Sequence, residues 1–447
     1  MNILKSVVLK IAKLLGLSLT EKSDTDEKYD DIFDISFTAS IAQRVSTLTL
    51  MDSSISIKGN NSRAEYLNKL FNTLINDKID TAAEVALGTG DVLLKPYSDG
   101  DRIGIDIIKN DDFYICDSCG DFIKSIIVKC ETIKKSGGNV FERYEAQRVK
   151  QYTDENGNVT SALYINNYAF KNGTQIPLTD VTEWVNIEPE IVILNTDRLL
   201  VGRIKNNATT NRLNINSPNG VPITYGLEKV MKNSVESYNI FNRELSAKEA
   251  FIFADKTLFK KDKETGKPII PRGKERLFMS VPAMYGENQS ADSLIKEYSP
   301  EIRSTELMDG IEQNLKFLEM LAGLSPGILT KATSNYSTAT EIKANLNMTF
   351  AFMTRFRRSI EKGINDLIYA INVILDVNDV TPVGDYVVSI DWSSAYLEDL
   401  TEQYSRLIKA QEIGVVSKAE VRAWLLDEDL DTSEAAVNAI SSENSAI

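Results

Sequence analysis

Two helical stripes with little nearby chain to cover them are the strongest constraint on how this sequence folds. In residues 225–250, Leu227, Met231, Val235, Tyr238, Phe241 and Leu245 recur at steps of three or four. In residues 301–322, Leu307, Ile311, Leu315, Leu318 and Ala322 do the same. Such spacing puts apolar side chains on one face of a helix. Each stretch predicts a helix of about twenty residues, roughly 30 Å long. Between them lie only residues 251–300, where FIFADKTLF and RLFMSV read as short strands around a turn at Lys263-Glu264-Thr265-Gly266-Lys267-Pro268. A helix, a small β-containing module and a return helix cannot bury two full stripes alone. Packing the helices side by side, also between copies of the chain, resolves this.

The rest of the 447 residues supplies both strand and helix signals, so the chain reads as α+β. Residues 32–87 read as helices, with one stripe at Ile41, Val45, Leu48 and Leu50 and another at Leu67, Leu70, Phe71 and Leu74, entered by Asn61 and Ser62. Residues 90–205 turn to strand character. DVLLKPY, RIGIDII, DDFYIC, FIKSIIVK and ALYINNYAF are separated by turn signals at Ser98-Asp99-Gly100, Gly137-Gly138 and Asn156-Gly157. Pro218 to Pro222 reads as a loop, and Gly323 to Ser337 breaks the second striped helix with Gly, Pro and polar residues. From Thr338 and Glu341, at capping-box spacing, a helix runs to about Leu375, roughly 55 Å long, with Gly363 as a possible kink point. YVVSIDW then predicts a strand, and short helices close the chain, one entered by Ser417 and Glu420 after a stop at Gly414.

Composition removes most catalytic classes. There is no histidine, which excludes Ser-His-Asp and Cys-His nucleophiles and the HExxH zinc site. The three cysteines, Cys116, Cys119 and Cys130, are too few and odd in number for a disulfide framework. Cys116-Asp-Ser-Cys119 lacks the four ligands of a structural zinc site unless Asp117 or Asp121 joins, and it lies between strand runs rather than opening a helix. A β-turn with two free thiols is the plainer reading. Gly88-Thr89-Gly90 follows a helix and precedes a strand, the reverse of a phosphate loop, so it reads as a helix stop. The formal net charge of −14 makes the surface as a whole repel DNA and anionic membranes.

Four local features invite a binding role. Residues 1–17 form an amphipathic pattern, with Ile3, Val7, Leu9, Ile11 and Leu14 against Lys5, Lys10 and Lys13. Packing on the body of the protein or on a neighbour is the plainer home for it, and a membrane surface is the other. Ser18 to Asp31 follows as a polar, acid-rich linker. Arg355, Arg357 and Arg358 interleave with Phe350, Phe352 and Phe356, a pattern known from single-strand binding. It fits better an amphipathic helix whose aromatics are core and whose arginines pair with a neighbour's carboxylates. Lys331 is the only charge in Gly323 to Ser337, and on composition alone it reads as an ordinary solvated lysine. Asp111-Asp112 and Asp427-Glu428-Asp429 read as turns and a solvated end, not as an acid/base or metal pair.

Four stretches, in order between about residue 80 and about residue 430, resemble portal proteins of tailed bacteriophages, particularly long-tailed phages of Gram-positive hosts. They are TAAEVALGTGDVLLKPY with IGIDIIKNDDFYI; LNINSPNGVPITYGLEKVMKNSVESYNIFNREL leading into FIFADKTLF; FLEMLAGLSPGILT with STATEIKA; and VVSIDWSSAYLEDLTEQYSRLIKAQEIGVVSKAEVRAWLL. None is a catalytic signature, and their joint order is the specific signal. The resemblance implies a portal fold made of a helical and β wing, a two-helix stem, a small α/β clip, a long spine helix and a short helical crown. On this chain those parts would be an N-terminal helix and linker at 1–31, wing at 32–224, stem at 225–250 and 301–322, clip at 251–300, tunnel loop at 323–337, spine helix and strand at 338–392 and crown at 393–447.

The resemblance also implies a dodecameric ring at one capsid vertex of the virion, made in the host cytoplasm, through which double-stranded viral DNA is packaged and ejected. Its partners would be the terminase large subunit, then a head–tail adaptor, with the major capsid and scaffolding proteins around it. Neither cofactor nor metal is implied. Ser325, Thr330, Lys331, Thr333, Ser334 and Asn335 would face DNA from the tunnel loop. Lys260, Lys261, Lys263, Lys267, Arg272 and Lys274 would form the docking surface of the clip. Twelve copies at −14 each carry about −168 formal charges, which keeps a channel from gripping DNA. In that setting Lys331 is better read as a weak phosphate contact. Two other classes compete: a membrane-associated scaffold using residues 1–17, and an enzyme built on a carboxylate or cysteine.

Overall fold

The computed structural model describes residues 7, 10–11, 13–15, 36–51, 53–99, 102–120, 122–135, 138–153, 157–247, 251–255, 278–281, 295–298, 303–330, 339–392, 400–426 and 428–444. The chain divides into two compact units. The first takes Met1–Lys22, Ala42–Pro222 and Ser334–Ile447, and the second takes Ser23–Ile41 and Ile223–Thr333.

After the helical residues 7, 10–11 and 13–15, the first unit continues within α1 (Phe37–Leu50), then runs β1 (Ser53–Lys58), α2 (Ser62–Leu70) and, after a π-helical turn at Phe71–Ile75, α3 (Asn76–Thr89). The strand β1 corrects the all-helical reading of residues 32–87. Its partner is β14 (Val387–Trp392), antiparallel from Ser53 opposite Trp392 to Lys58 opposite Val387. Asn61 caps α2 by accepting from the Ala64 amide at 2.9 Å. Gly90, at φ +96°, stops α3 and passes the chain into β2 (Asp91–Asp99).

β2 pairs with β3 (Arg102–Lys109) and with β10 (Gly202–Lys205) in a three-stranded antiparallel sheet. A larger meander follows, β4 (Phe113–Cys119), β5 (Phe122–Lys135), β6 (Asn139–Thr153), β7 (Val159–Lys171) and β8 (Thr174–Ile176), with β9 (Glu190–Leu194) also on β7. Leu93, Phe113, Ile126, Val128 and Leu163 from these sheets share a core with Leu200 and Ala370. Ala370 belongs to α6 (Ala339–Val377), which crosses β10. A Cβ on Gly202 would lie 2.4 Å from the Gly363 carbonyl oxygen, and one on Gly363 would lie 2.8 Å from that of Arg203. Gly363 therefore serves close helix–strand approach inside a continuous helix.

Buried charges in this unit are matched. The Asp91 carboxylate, fully buried, accepts from Arg203 Nε at 2.9 Å and Nη2 at 2.8 Å and from the Gly220 amide at 2.5 Å. Lys95 Nζ meets Glu145 at 3.0 Å, and Gln147 donates to the same carboxylate at 2.8 Å. Burial opposes ionisation of Glu145, but Lys95 and Gln147 together outweigh it and hold the carboxyl below its ordinary value. Arg63, fully buried, donates to the Pro382, Asn372 and Thr381 carbonyls, to Asn372 Oδ1 and to Asp376 Oδ1. It ties the start of α2 to the end of α6 and the approach to β14.

The N-terminal segment packs on this unit. Val7 and Ile11 are fully buried against Ile127, Tyr144 and Phe170. Lys10 Nζ donates to the Gly173 carbonyl at 2.9 Å, and Arg148 donates to the Leu15 carbonyl at 2.7 Å. Val7 and Ile11 are thus spent on the protein itself, the plainer home expected for this helix, while Leu14 is exposed. The CxxC is not a turn: Cys116 and Cys119 both lie in β4, whose register shifts between them. Burial pushes the Cys116 thiol up to about 12 and Cys130 up to about 11, so both stay protonated and unreactive at neutral pH. No cluster of metal-ligating side chains exists among the described residues.

The arginine pattern of α6 is also resolved. Phe352 and Phe356 are buried, as expected of core aromatics. Within the chain, Arg357 donates to the Thr49 carbonyl at 3.1 Å and stacks 5.0 Å over the Trp392 ring, while Arg355 and Arg358 are exposed. Three helices close the chain, α7 (Leu400–Glu412), α8 (Lys418–Leu426) and α9 (Leu430–Asn444). Ser417 and Glu420 form the reciprocal capping box, at 3.1 and 2.7 Å. Glu428 pairs with Arg422 at 3.2 Å; Asp429 is exposed, as expected of a solvated end, and accepts from the Thr432 amide at 2.8 Å, while Asp427 lies outside the described residues.

Removing the Arg63 guanidinium leaves three carbonyls and Asp376 without their donor. Arg63→Met is expected to destabilise the first unit by about 3 kcal/mol. The urea midpoint of the full chain should fall, while Lys58→Met at the exposed end of β1 leaves it unchanged.

Candidate functional site

The second unit contains the two striped helices, here α4 (Glu228–Ala247) and α5 (Ser304–Leu321). The first starts three residues later than its periodicity suggests, because Gly226 sits at φ +78° and its amide donates to Glu228 Oε1 at 3.0 Å. Between the helices, β11 (Phe251–Asp255) pairs parallel with β12 (Phe278–Val281) and antiparallel with β13 (Ile295–Tyr298). The six cations Lys260, Lys261, Lys263, Lys267, Arg272 and Lys274 lie outside the described residues.

The helices form an antiparallel hairpin. Asn314 Nδ2 donates to Ser237 Oγ at 3.2 Å, and Arg303 pairs with Glu244 two to three turns away. Val235 and Leu318 are buried, and Leu307, Ile311 and Leu315 are half-buried. A second apolar set stays open. Phe317 and Met320 are each 53% exposed and Leu321 48%, with Tyr238 and Leu245 also exposed on α4. Large apolar side chains grouped on the last turns of one helix form a patch of the kind found at interfaces.

The end of α5 carries a tightly built turn. Gly323, at φ +76°, receives the helix: the Ala322 amide donates to the Leu318 carbonyl at 2.9 Å, and the Leu324 amide donates to the Glu319 carbonyl at 2.9 Å. The second bond closes a Schellman motif. The chain then folds back over Glu319, whose side chain is fully buried. Its Oε1 accepts from the amides of Gly327 at 3.2 Å, Leu329 at 2.5 Å and Thr330 at 2.9 Å. The Thr330 hydroxyl donates to the same carboxylate, 3.2 Å from Oε1 and 3.1 Å from Oε2. A carboxylate in a nest of backbone N–H groups is a strong, charge-assisted anchor. It fixes residues 324–330, with Leu324 and Ile328 buried beside it.

This geometry sorts the residues expected to face DNA. Ser325 is fully buried, which corrects the expectation of an exposed polar side chain there. Thr330 is half-buried and bound to Glu319. Both belong to the base of the loop. Lys331, Thr333, Ser334 and Asn335 lie outside the described residues. Glu319 was missed because it lies next to the Leu318 position of the stripe and reads as an ordinary helix acid. The available signal was a carboxylate one turn before Gly323-Leu324-Ser325-Pro326-Gly327, a segment with many unsatisfied amides.

Fold and site together define a mixed α+β architectural protein with a carboxylate-anchored loop at the end of a helical hairpin. The family model described as "Phage portal protein, SPP1 Gp6-like" matches residues 37–446, and the chain belongs to that family of virion-associated structural proteins. No curated protein sequence matches the chain. Among solved structures, a chain from the "Neck of empty GTA particle computed with C6 symmetry" is similar at 10% identity and TM-score 0.38, covering 87% of this chain and 89% of that one. A chain from the "Virion of native gene transfer agent (GTA) particle" is similar at 9% identity and TM-score 0.34, covering 95% and 99%. Likenesses this distant decide nothing further.

Glu319→Ala should release the turn and leave its buried amides without an acceptor. Trypsin cleavage after Lys331 is expected to accelerate roughly tenfold or more. Glu319→Gln keeps one acceptor oxygen and should fall between the two.

Proposed function

We propose that this portal-family chain assembles into a ring of about twelve copies at one capsid vertex. Double-stranded viral DNA passes through the ring during packaging and ejection. The observation that carries this reading is the family match across nearly the whole chain, residues 37–446. The open apolar set Phe317, Met320 and Leu321 supports it, because a ring gives each hairpin a neighbour to cover that face. In this reading residues 251–300 dock the terminase large subunit and later the head–tail adaptor through Lys260, Lys261, Lys263, Lys267, Arg272 and Lys274. The capsid and scaffolding proteins surround the remainder of the ring, and the protein is made in the host cytoplasm before entering the virion.

Residues 331–335 become the part of the loop nearest DNA, carried on the base that Glu319 holds. Lys331 offers a single weak phosphate contact in an otherwise acidic assembly. One cation per subunit touches DNA without stopping its movement.

Two outcomes follow. Light scattering on the purified chain should give a mass near 600 kDa, twelve times 49.9 kDa, and the pair Phe317→Asp with Leu321→Asp should reduce it to a folded monomer. A monomeric unsubstituted chain, or full assembly of the double variant, contradicts the reading. Lys331→Glu should leave the ring intact and lower the amount of DNA packaged in an in vitro packaging reaction. Unchanged packaging removes Lys331 from the DNA-facing set.

A further inference from the structure

A cavity of about 340 Å³ opens in the first unit between the β4–β5 turn, residues 198–207 and α6. Its charges invert the balance of the chain: Arg198, Arg203, Lys205, Arg358 and Lys362 line it, with Asp366 as its one acidic residue. Three of these cations already have work. Arg203 is held by Asp91, Lys205 has interactions of its own, and Arg198 meets Asp197 and Asp366 and stacks 4.5 Å over Tyr369. Arg358 and Lys362 are exposed, one turn apart on α6; Lys362 shares the field of Asp366 with Arg198, so the lining keeps an excess of positive charge. Like charges at that spacing disfavour each other. Beside them the wall is apolar, formed by Phe122, Ile123, Leu199 and Val201. Phe122 is 46% exposed.

The ligand that matches this lining carries carboxylates next to large apolar side chains. A cavity of this size admits a few side chains and not a duplex, whose phosphates need an extended basic stripe. The apolar wall would gain nothing from phosphate alone. The chain itself contains the complementary chemistry. Residues 24–35, DTDEKYDDIFDI, hold six carboxylates and one lysine together with Tyr29, Ile32, Phe33 and Ile35. They lie outside the described residues.

We propose that this cavity receives residues 24–35 of a second copy of the chain. Head-to-tail closure of a ring requires two different, complementary surfaces on each subunit. The basic cavity and the acidic–apolar segment are such a pair. The inference rests on the ring reading and adds a specific contact to it.

Cysteine crosslinking tests it on full-length protein in a Cys119→Ser, Cys130→Ser background, with Cys116 protected by burial. One tagged copy carries Asp34→Cys and an untagged copy carries Lys362→Cys. A short bismaleimide should join them only in the mixture, and Arg358→Glu in the acceptor copy should suppress the product. Rings seen by microscopy without this crosslink overturn the inference and leave the ring reading standing. A crosslink formed within one chain carrying both cysteines, diluted into cysteine-free copies, also overturns it. Independently of assembly, a synthetic peptide of residues 24–35 should bind the chain and lose roughly tenfold or more in affinity to Arg358→Glu with Lys362→Glu. Equal binding to that variant, or equally tight binding of inorganic polyphosphate in place of the peptide, would falsify the assignment.

Discussion

An amphipathic hairpin whose outer face is exposed among the described residues is the constraint from which the functional account follows. α4 and α5 pack together with Val235 and Leu318 buried, yet Phe317, Met320 and Leu321 remain open on the final turns of α5. Burying three such side chains is worth several kcal/mol, at about 25 cal/mol per Å². A second copy with the same hairpin offers a matching surface. Repetition of the contact then produces a closed ring if the rotation closes. Family membership and this uncovered surface point the same way, and neither depends on a catalytic group.

In the proposed reading, the same hairpin lets an acidic protein meet DNA at one place. The loop after α5 is fixed at its base by the Glu319 carboxylate and three backbone amides. A fixed base allows residues beyond it to be presented at a defined height on every subunit. Elsewhere, buried cations are consumed by structure: Arg203 by Asp91, Lys95 by Glu145 and Arg63 by the end of α6. In the cavity of the first unit, Arg358 and Lys362 stay positive and exposed beside an apolar wall, which suits an acidic segment better than a nucleic acid.

Local patterns were legible in the sequence where neighbours along the chain decide the structure. The stripes of α4 and α5, the stop at Gly90 and the capping box at Ser417 all depend on residues within a few turns. Pairings across long sequence separation were not. β1 reads as part of a helical region because the partner that makes SSISIK a strand lies in β14, more than 300 residues away. The pairing of Arg357 with Thr49 and Trp392, and the burial of Val7 and Ile11 on the β sheet, depend on the same kind of distant contact. At the site, helix periodicity located the hairpin but could not show that a helix acid turns inward to hold a loop.

The central claim is that the open face of the hairpin is a subunit interface around a channel. A single-particle reconstruction of the purified full-length chain tests it most directly. The account predicts a closed ring with a central hole, in which Phe317, Met320 and Leu321 pack against the adjacent subunit. A ring that leaves these three side chains in solvent, or a particle with no central hole, contradicts it.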